Sequence, residues 1–374
     1  MKDEPLKAPF IWFGGKRQVA GDIWSALGDV ENYIEPFGGS LAVLLARNIS
    51  PYARRTETVN DADGYIANFW RAVKSDPEQV AYYADDPINE TDLLARHLWL
   101  VNTGRTRLIE GLESDPEWYD TKIAGWWVWG INAWIGSDWC AGNGPWKYGS
   151  EGDTVEYLSE NEGAGQGVYR KLPHLGDAGQ GVHRQRPHLN AGQGVHRKRP
   201  HLGDPGRGVK PWNTCAGRAE RIIDYMLRLA DRLRDVRVCA GDWGRVVTGG
   251  ALSHGSSIGI FLDPPYSLSI RDNRCYNIDG LSLAVDVRNW AIANGENKRF
   301  RIVLAGYTEE HNTDIPASWR RIKWKGQAAY QTTKSSKTSG GNAENRHKEV
   351  LWCSPGCLSG HVQSEFVFGD NGGR

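Results

Sequence analysis

The 374-residue chain has no apolar run approaching the ~20 residues that span a bilayer. Its opening segment, Met1–Pro9, contains no apolar signal region. Neither a membrane-embedded nor an exported protein is expected, and the six cysteines should be thiols in a reducing compartment. Two nucleotide-binding signatures are also missing. The chain has neither the G-x-G-x-x-G spacing of a dinucleotide site nor the Gly-Lys-Ser/Thr of a phosphate loop. Net charge is absent too, because 45 Lys and Arg balance 45 Asp and Glu, so charge is informative only when divided along the chain. The length suits one large domain with an insertion, or two domains, and the core is large enough to need no disulfide or metal.

What is present begins with Asp263-Pro264-Pro265-Tyr266, at the end of the apolar run Ile258–Leu262. A strand that delivers these residues to its carboxyl end is suited to hold a planar base bearing an amine. Aspartate accepts a hydrogen bond from an exocyclic amine, and the prolines stiffen the turn while leaving a carbonyl as second acceptor. The tyrosine offers a stacking face worth roughly 1–3 kcal/mol per base. By itself the tetrapeptide could equally be an ordinary strand-ending turn.

Nearer the amino terminus, Tyr33-Ile34-Glu35-Pro36-Phe37-Gly38-Gly39-Ser40 precedes the helix-like run Leu41–Arg47. This reads as strand, glycine turn and helix, the arrangement that brings backbone close to a cofactor at a sheet edge. About twenty residues on, Thr58-Val59-Asn60-Asp61 reads as a second strand with an acidic tip. Asp61 stands where an α/β domain places the carboxylate that grips ribose hydroxyls, or it caps a helix over Ala62–Ala72, or does both.

Together with the upstream segment Pro9-Phe10-Ile11-Trp12-Phe13-Gly14-Gly15-Lys16, these motifs resemble, in content and order, the Dam-like (D12-class, alpha-group) DNA adenine-N6 methyltransferases. The resemblance covers roughly residues 8–75 and 237–353. It implies an α/β, Rossmann-like sheet that binds S-adenosylmethionine and is interrupted by a mainly helical and loop DNA-recognition insertion. Carried over, it assigns Trp12 and Lys16 to the cofactor, with Lys16 near its carboxylate. Glu35, Phe37, Gly38 and Gly39 would wall the methionine and ribose, and Asp61 would take the ribose hydroxyls. Val238–Trp243 looks like the strand that sets an acidic residue, Asp242, beside the cofactor adenine, although Asp242 could equally cap the short helix after it. Asp263 borders both cofactor and target. Arg301–Tyr307 and His347–Trp352 read as late strands of the same sheet.

The chemistry that the resemblance implies has few parts. The donor methyl is already activated, so orientation and electrostatics carry the rate. Hydrogen bonds from adenine N6 to Asp263 and the Pro264 carbonyl would localise the lone pair toward the methyl, with Pro265 stiffening the turn and Tyr266 as stacking platform. A target inside a duplex must first be extruded. No cysteine sits in the Pro-Cys context that covalent cytosine-C5 methylation requires. Aspartate at the head of the motif also favours adenine over cytosine N4.

Between the two halves lies an aromatic stretch: Trp118, Tyr119, Trp126, Trp127, Trp129, Trp134, Trp139, Trp146 and Tyr148. Most should form the core of a small recognition subdomain, with one or two free to wedge into a base stack. Helical signals over Asp76–Tyr83 and Thr91–Thr103 precede it. Residues 163–209 form an imperfect tandem repeat, with units opening at Ala164, Ala178 and Ala191. Its glycines and prolines suggest stacked turns or short hairpins. Each unit carries cations, including Arg170, Lys171, Arg184, Arg186, Arg197, Lys198 and Arg199, at a period suited to DNA phosphates, though such an array could also be a tolerated loop. Its histidines read as turn-packing residues or minor phosphate donors. Beyond it, Ala219, Ile222, Ile223, Met226, Leu227, Ala230 and Leu233 recur at helical spacing. Where GATC-type relatives carry Arg-x-Asn and Phe-Asn-Val-Pro-Phe-Gly, this chain has Gly142-Asn143-Gly144-Pro145-Trp146-Lys147-Tyr148, so GATC recognition is not expected. It looks closer to prophage-encoded relatives with long recognition inserts, some of which tolerate almost any adenine context, so site-specific and relaxed-specificity methylation both stay open. His347, Cys353, Cys357 and His361 match no strong zinc spacing, and no metal is expected.

The expected division is therefore 1–75 and 236–355 for the methyltransferase domain, 76–235 for the target-recognition insertion and 356–374 for a tail. The partners would be double-stranded DNA and S-adenosylmethionine or its demethylated product, in the cytoplasm and at the nucleoid. A cognate nuclease is left open. Competing readings are a catalytically silent DNA-binding protein of the same fold, or methylation of cytosine N4 or RNA adenine.

Overall fold

The apolar runs become the central strands of one sheet. The computed structural model describes residues 6–12, 14–48, 55–134, 139–140, 146–148, 155–157, 216–265, 280–311, 314–324 and 349–359. The first half comprises α1 (Ala20–Leu27), β1 (Asn32–Glu35), α2 (Ala42–Leu45), β2 (Thr56–Asp61), α3 (Gly64–Ser75), α4 (Pro77–Ala84), α5 (Glu90–Trp99), α6 (Arg105–Ser114) and α7 (Thr121–Ala133). The short strands β3 (Trp146–Tyr148) and β4 (Val155–Tyr157) pair antiparallel. Then come α8 (Ala216–Leu233), β5 (Val236–Ala240), β6 (Ile258–Leu262), α9 (Gly280–Asn294), β7 (Phe300–Tyr307), α10 (Thr308–His311), β8 (Arg320–Lys323) and β9 (Glu349–Cys353).

The main sheet has seven strands in the order β5-β2-β1-β6-β7-β9-β8. The pairs from β5 through β7 are parallel, whereas β9 runs antiparallel to both β7 and β8. Strands buried on both faces need no polar alternation, which is why β6 is a continuous apolar run with every residue buried. The chain winds from β1 outward through β2 to β5, then returns to β6 on the other side of β1. The carboxyl ends of β1 and β6 therefore border a topological switch point, where open α/β sheets leave a crevice.

Apolar residues pack both faces. One cluster joins Ile23, Leu27, Phe69, Trp70, Trp127, Met226 and Leu229; the other joins Ile260, Leu304, Val287, Ala291 and Trp319. Much of the aromatic stretch belongs to the first of these. Trp127 and Trp129 are fully buried, and the Trp127 ring lies 5.0 Å from Phe10 and 5.7 Å from Phe69. The helices after α3 are thus anchored in the core of the sheet domain. Tyr119, by contrast, is exposed, as is Leu227 on α8.

Local rules account for the helix ends, with two departures from the sequence reading. Helix α3 begins at Gly64 rather than Ala62, and its cap is Asp63, whose side chain accepts from Tyr65 N at 2.9 Å. Asp61 is not the cap. The run Leu41–Arg47 is helical only over Ala42–Leu45, because Leu41 takes a left-handed φ of 51° and Arg47 turns its guanidinium to Glu57. Asp76 caps α4, with Pro77 in the first position that tolerates proline. The helix expected over Thr91–Thr103 starts one residue earlier, at Glu90, and runs through a π-type turn at Leu100–Gly104 into α6. Among the described residues, no helix is long and apolar enough to cross a membrane.

Candidate active site

The site is assembled at the carboxyl edge of the sheet. Strand β1 ends in Glu35, which is 2% exposed and accepts a hydrogen bond from the Tyr33 hydroxyl at 3.0 Å. Burial drives the Glu35 pKa up to about 8; the Tyr33 hydroxyl and Leu44 N–H oppose the rise, and the Asp263 and Glu57 charges add to it.

After Glu35 the chain turns tightly over Pro36–Gly39. Gly38 N–H donates to Asn60 O at 2.7 Å, and Gly39 adopts a φ of +47°. A β-carbon at Gly39 would lie 2.6 Å from Trp12 Nε1, and one at Gly38 would lie 3.2 Å from Asn60 O. Glycine at Gly39 therefore lets Trp12 lie directly against the turn, while Gly38 lets the turn approach β2.

Asp61, at the tip of β2, is partly exposed and holds this turn from below. Its Oδ2 accepts from Gly39 N at 2.8 Å and its Oδ1 from Asp63 N at 2.8 Å. Desolvation, with the neighbouring Asp63 charge, nevertheless lifts its pKa to about 7 against those donors. The neighbouring Asn60 is a clamp that sequence reasoning missed. Its Nδ2 donates to Pro36 O at 3.1 Å and Gly241 O at 2.9 Å, tying together the turns that follow β1 and β5. The dipeptide Asn60-Asp61 was visible in the sequence, but nothing there revealed which carbonyls the amide would meet.

Beyond β5, Gly241 takes a φ of +112°. Asp242 accepts from Gly244 N at 2.8 Å and caps a single 3₁₀ turn over Trp243–Val246. Of its two possible roles the capping one is thus seen directly, and its side chain is exposed. Trp243 stacks on Phe37 with ring centroids 6.1 Å apart and planes 27° apart, and meets Trp290 edge-on at 6.0 Å. Trp243 and Trp290 extend the wall begun by Phe37. No spacing rule could have found their meeting, because they come from the 3₁₀ turn after β5 and from α9.

Strand β6 delivers Asp263 to the same edge. Lys16 Nζ lies 2.9 Å from Asp263 Oδ2, and the two side chains are 3% and 19% exposed. The ammonium also donates to Gly14 O at 2.7 Å. The fold thus brings Lys16 onto Asp263, and Trp12, Gly39 and Asp61 onto one another. Pro264 is buried and Pro265 partly so. Tyr266, the repeat cations Arg170 to Arg199, and Gly142–Pro145 lie outside the described residues. So do His347 and His361. Cys353 is buried, and the Cys357 thiol donates to Ile302 O at 3.4 Å. Among the described residues no group of three or more His, Cys, Asp or Glu converges as a metal site.

Such a crevice, with a glycine turn, a carboxylate at its β2 side, an aromatic wall and a lysine-paired aspartate, can hold a nucleoside-bearing ligand against a second planar group. The family of D12 class N6 adenine-specific DNA methyltransferases matches residues 12–95, from Trp12 through β1, the turn, β2 and into α5. The mixed α/β, mostly parallel sheet agrees with the Rossmann-like fold of methyltransferases. No curated protein matches the chain.

Proposed function

We propose that this chain, with its D12 class adenine-N6 methyltransferase match, transfers a methyl group from S-adenosylmethionine to adenine N6 in DNA. The observation that carries this reading is Asp263, set at the end of β6 across the switch point from the Glu35–Gly39 turn and paired with Lys16. The residues present fit such a donor. The Phe37–Trp243 stack offers a flat wall, and Asn60 Oδ1 is a buried acceptor with no partner. When bound, the donor supplies an electrophilic methyl on a sulfonium.

The protein's part is orientation. Trp12, Glu35, Phe37, Gly38, Gly39, Asp61 and Asp242 line the donor side, while Lys16 and Asp263 stand between donor and target. Asp263 and the Pro264 carbonyl accept from the amine N–H groups, so that the N6 lone pair points at the methyl carbon. A bound donor would supply the methyl group and keep the departing electron pair on its sulfur, while Asp263 would hold N6 as its surplus proton leaves for solvent. Pro265 fixes the turn, and Tyr266 stacks on the extruded base.

Residues 1–75 and 236–355 form the methyltransferase domain on this reading, with 76–235 as a recognition segment rooted in the same core. The cations Arg170, Lys171, Arg184, Arg186, Arg197, Lys198 and Arg199 contact phosphates, which favours low sequence selectivity. Such an enzyme works in the cytoplasm at the nucleoid.

The test is nucleoside mass spectrometry of plasmid incubated with protein and S-adenosylmethionine, beside Asp263→Ala. N6-methyladenine from the wild type, at least 100-fold reduced in the variant, is expected (about 10²–10³-fold per essential polar group). N4-methylcytosine, or product on RNA alone, would replace the substrate assignment. DNA binding without any transfer would establish the silent-binder reading.

A further inference from the structure

Resting on that activity, we propose that Lys16 is a positioning residue for Asp263, and that it acts on the methyl-transfer step rather than on cofactor affinity. The local backbone is folded to place it there. Gly14 takes a left-handed φ of 75°, and Gly15 N–H closes back onto Trp12 O at 3.3 Å. The lysine that follows is thereby directed inward, and its stem is buried to 3% exposure. Its ammonium is then fixed by Gly14 O at 2.7 Å and by Asp263 Oδ2 at 2.9 Å.

Tying Oδ2 fixes the plane of the Asp263 carboxylate, and with it the direction from which the group accepts an N–H. That direction matters because the lone pair of N6 must point at the methyl while its hydrogens point at acceptors. A carboxylate free to rotate would hold the amine in many orientations, most of them unproductive. Misplacement of a reacting group by about 1 Å costs on the order of 100-fold in rate. A lysine that served the cofactor carboxylate would instead set the affinity for the donor. The two roles therefore predict effects on different constants.

The experiment compares wild type, Lys16→Met, Asp263→Asn and the double variant in single-turnover methylation, with donor affinity measured by calorimetry. For Lys16→Met we expect a fall of about 100-fold in the transfer rate and a change in donor Kd below about 3-fold. In the Asp263→Asn background, adding Lys16→Met should have little further effect on rate, because the carboxylate it orients is gone. The double variant carries no unpaired buried charge, so its comparison with Asp263→Asn stands even where Lys16→Met alone fails to fold. A donor Kd raised tenfold or more by Lys16→Met in either background, or a full additional loss of rate in the double variant, would overturn the proposal. A wild-type protein that makes no N6-methyladenine would overturn the underlying activity, and this proposal with it.

Discussion

Replacing Glu35 by glutamine should make the protein more stable as pH rises, and the structure sets the size of the gain. Glu35 is buried at the end of β1, and its pKa is raised from 4.5 to about 8. Folding therefore takes up a proton between those limits. Below about pH 4.5 the carboxyl is neutral in both states and costs nothing. As pH rises from about 4.5 to about 8 the unfolded state ionises while the folded carboxyl stays neutral, so stability falls, and it levels off once the folded state also holds the charge. At ~1.4 kcal/mol per pH unit, the interval from 4.5 to about 8 corresponds to an upper bound of about 5 kcal/mol. Relaxation around the charge reduces that, so about 2–4 kcal/mol is the expected relative gain for Glu35→Gln at about pH 9. Glutamine retains an acceptor for the Tyr33 hydroxyl and carries no charge at any pH. Urea unfolding of both proteins at intervals from about pH 5 to about pH 9 measures the difference directly. Asp61 also titrates near 7, but it is common to both proteins and cancels. A difference constant to within about 0.5 kcal/mol across the range would refute the assignment of a neutral buried acid at Glu35.

Other perturbations address the turn and the core. Gly39→Ala must place a β-carbon 2.6 Å from Trp12 Nε1 on a backbone with φ +47°. It should cost about 1–2 kcal/mol in conformation alone and, on the proposed activity, raise the KM for S-adenosylmethionine at least tenfold by displacing Trp12; unchanged donor kinetics would refute the proposed placing of Trp12 beside the donor. Glu57 is bound by Arg47 Nη1 at 3.0 Å and by Arg232 Nη1 at 2.7 Å, and is 6% exposed. Glu57→Ala should therefore destabilise by about 3 kcal/mol, because buried Arg47 keeps only the exposed Asp29 carboxylate at 3.5 Å and partly buried Arg232 loses its carboxylate. A loss below about 1 kcal/mol in chemical denaturation would show that water or other groups replace it.

The central strands were readable because a strand buried on both faces leaves an apolar run, as in Ile258–Leu262, and a strand end leaves a change of chemistry, as at Asp263; the edge strand β8, Arg320–Lys323, has no such run and was not. The helix caps were less legible. Asp61 and Asp63 are equally good capping residues two positions apart, and only the hydrogen bond to Tyr65 N selects Asp63. At Asp61 itself, the tertiary partner Gly39 N competes for the side chain. Leu41 was read as the start of a helix because helix propensity says nothing about a left-handed φ imposed by the preceding glycine turn.

The amino-acid sequence by itself determined which residue types gather at strand ends, and in what order, because those motifs are local: a glycine turn, an acidic tip, an Asp-Pro-Pro-Tyr run. Only the tertiary structure decided who meets whom. Lys16 reaches Asp263, 247 positions further along the chain. Asn60 ties the turn after β1 to the turn after β5, and Trp243 closes on Phe37. The physical reason is the sheet order, which sets β6 beside β1 and β5 beside β2; pairing between strands far apart in the chain has no signature in any local window.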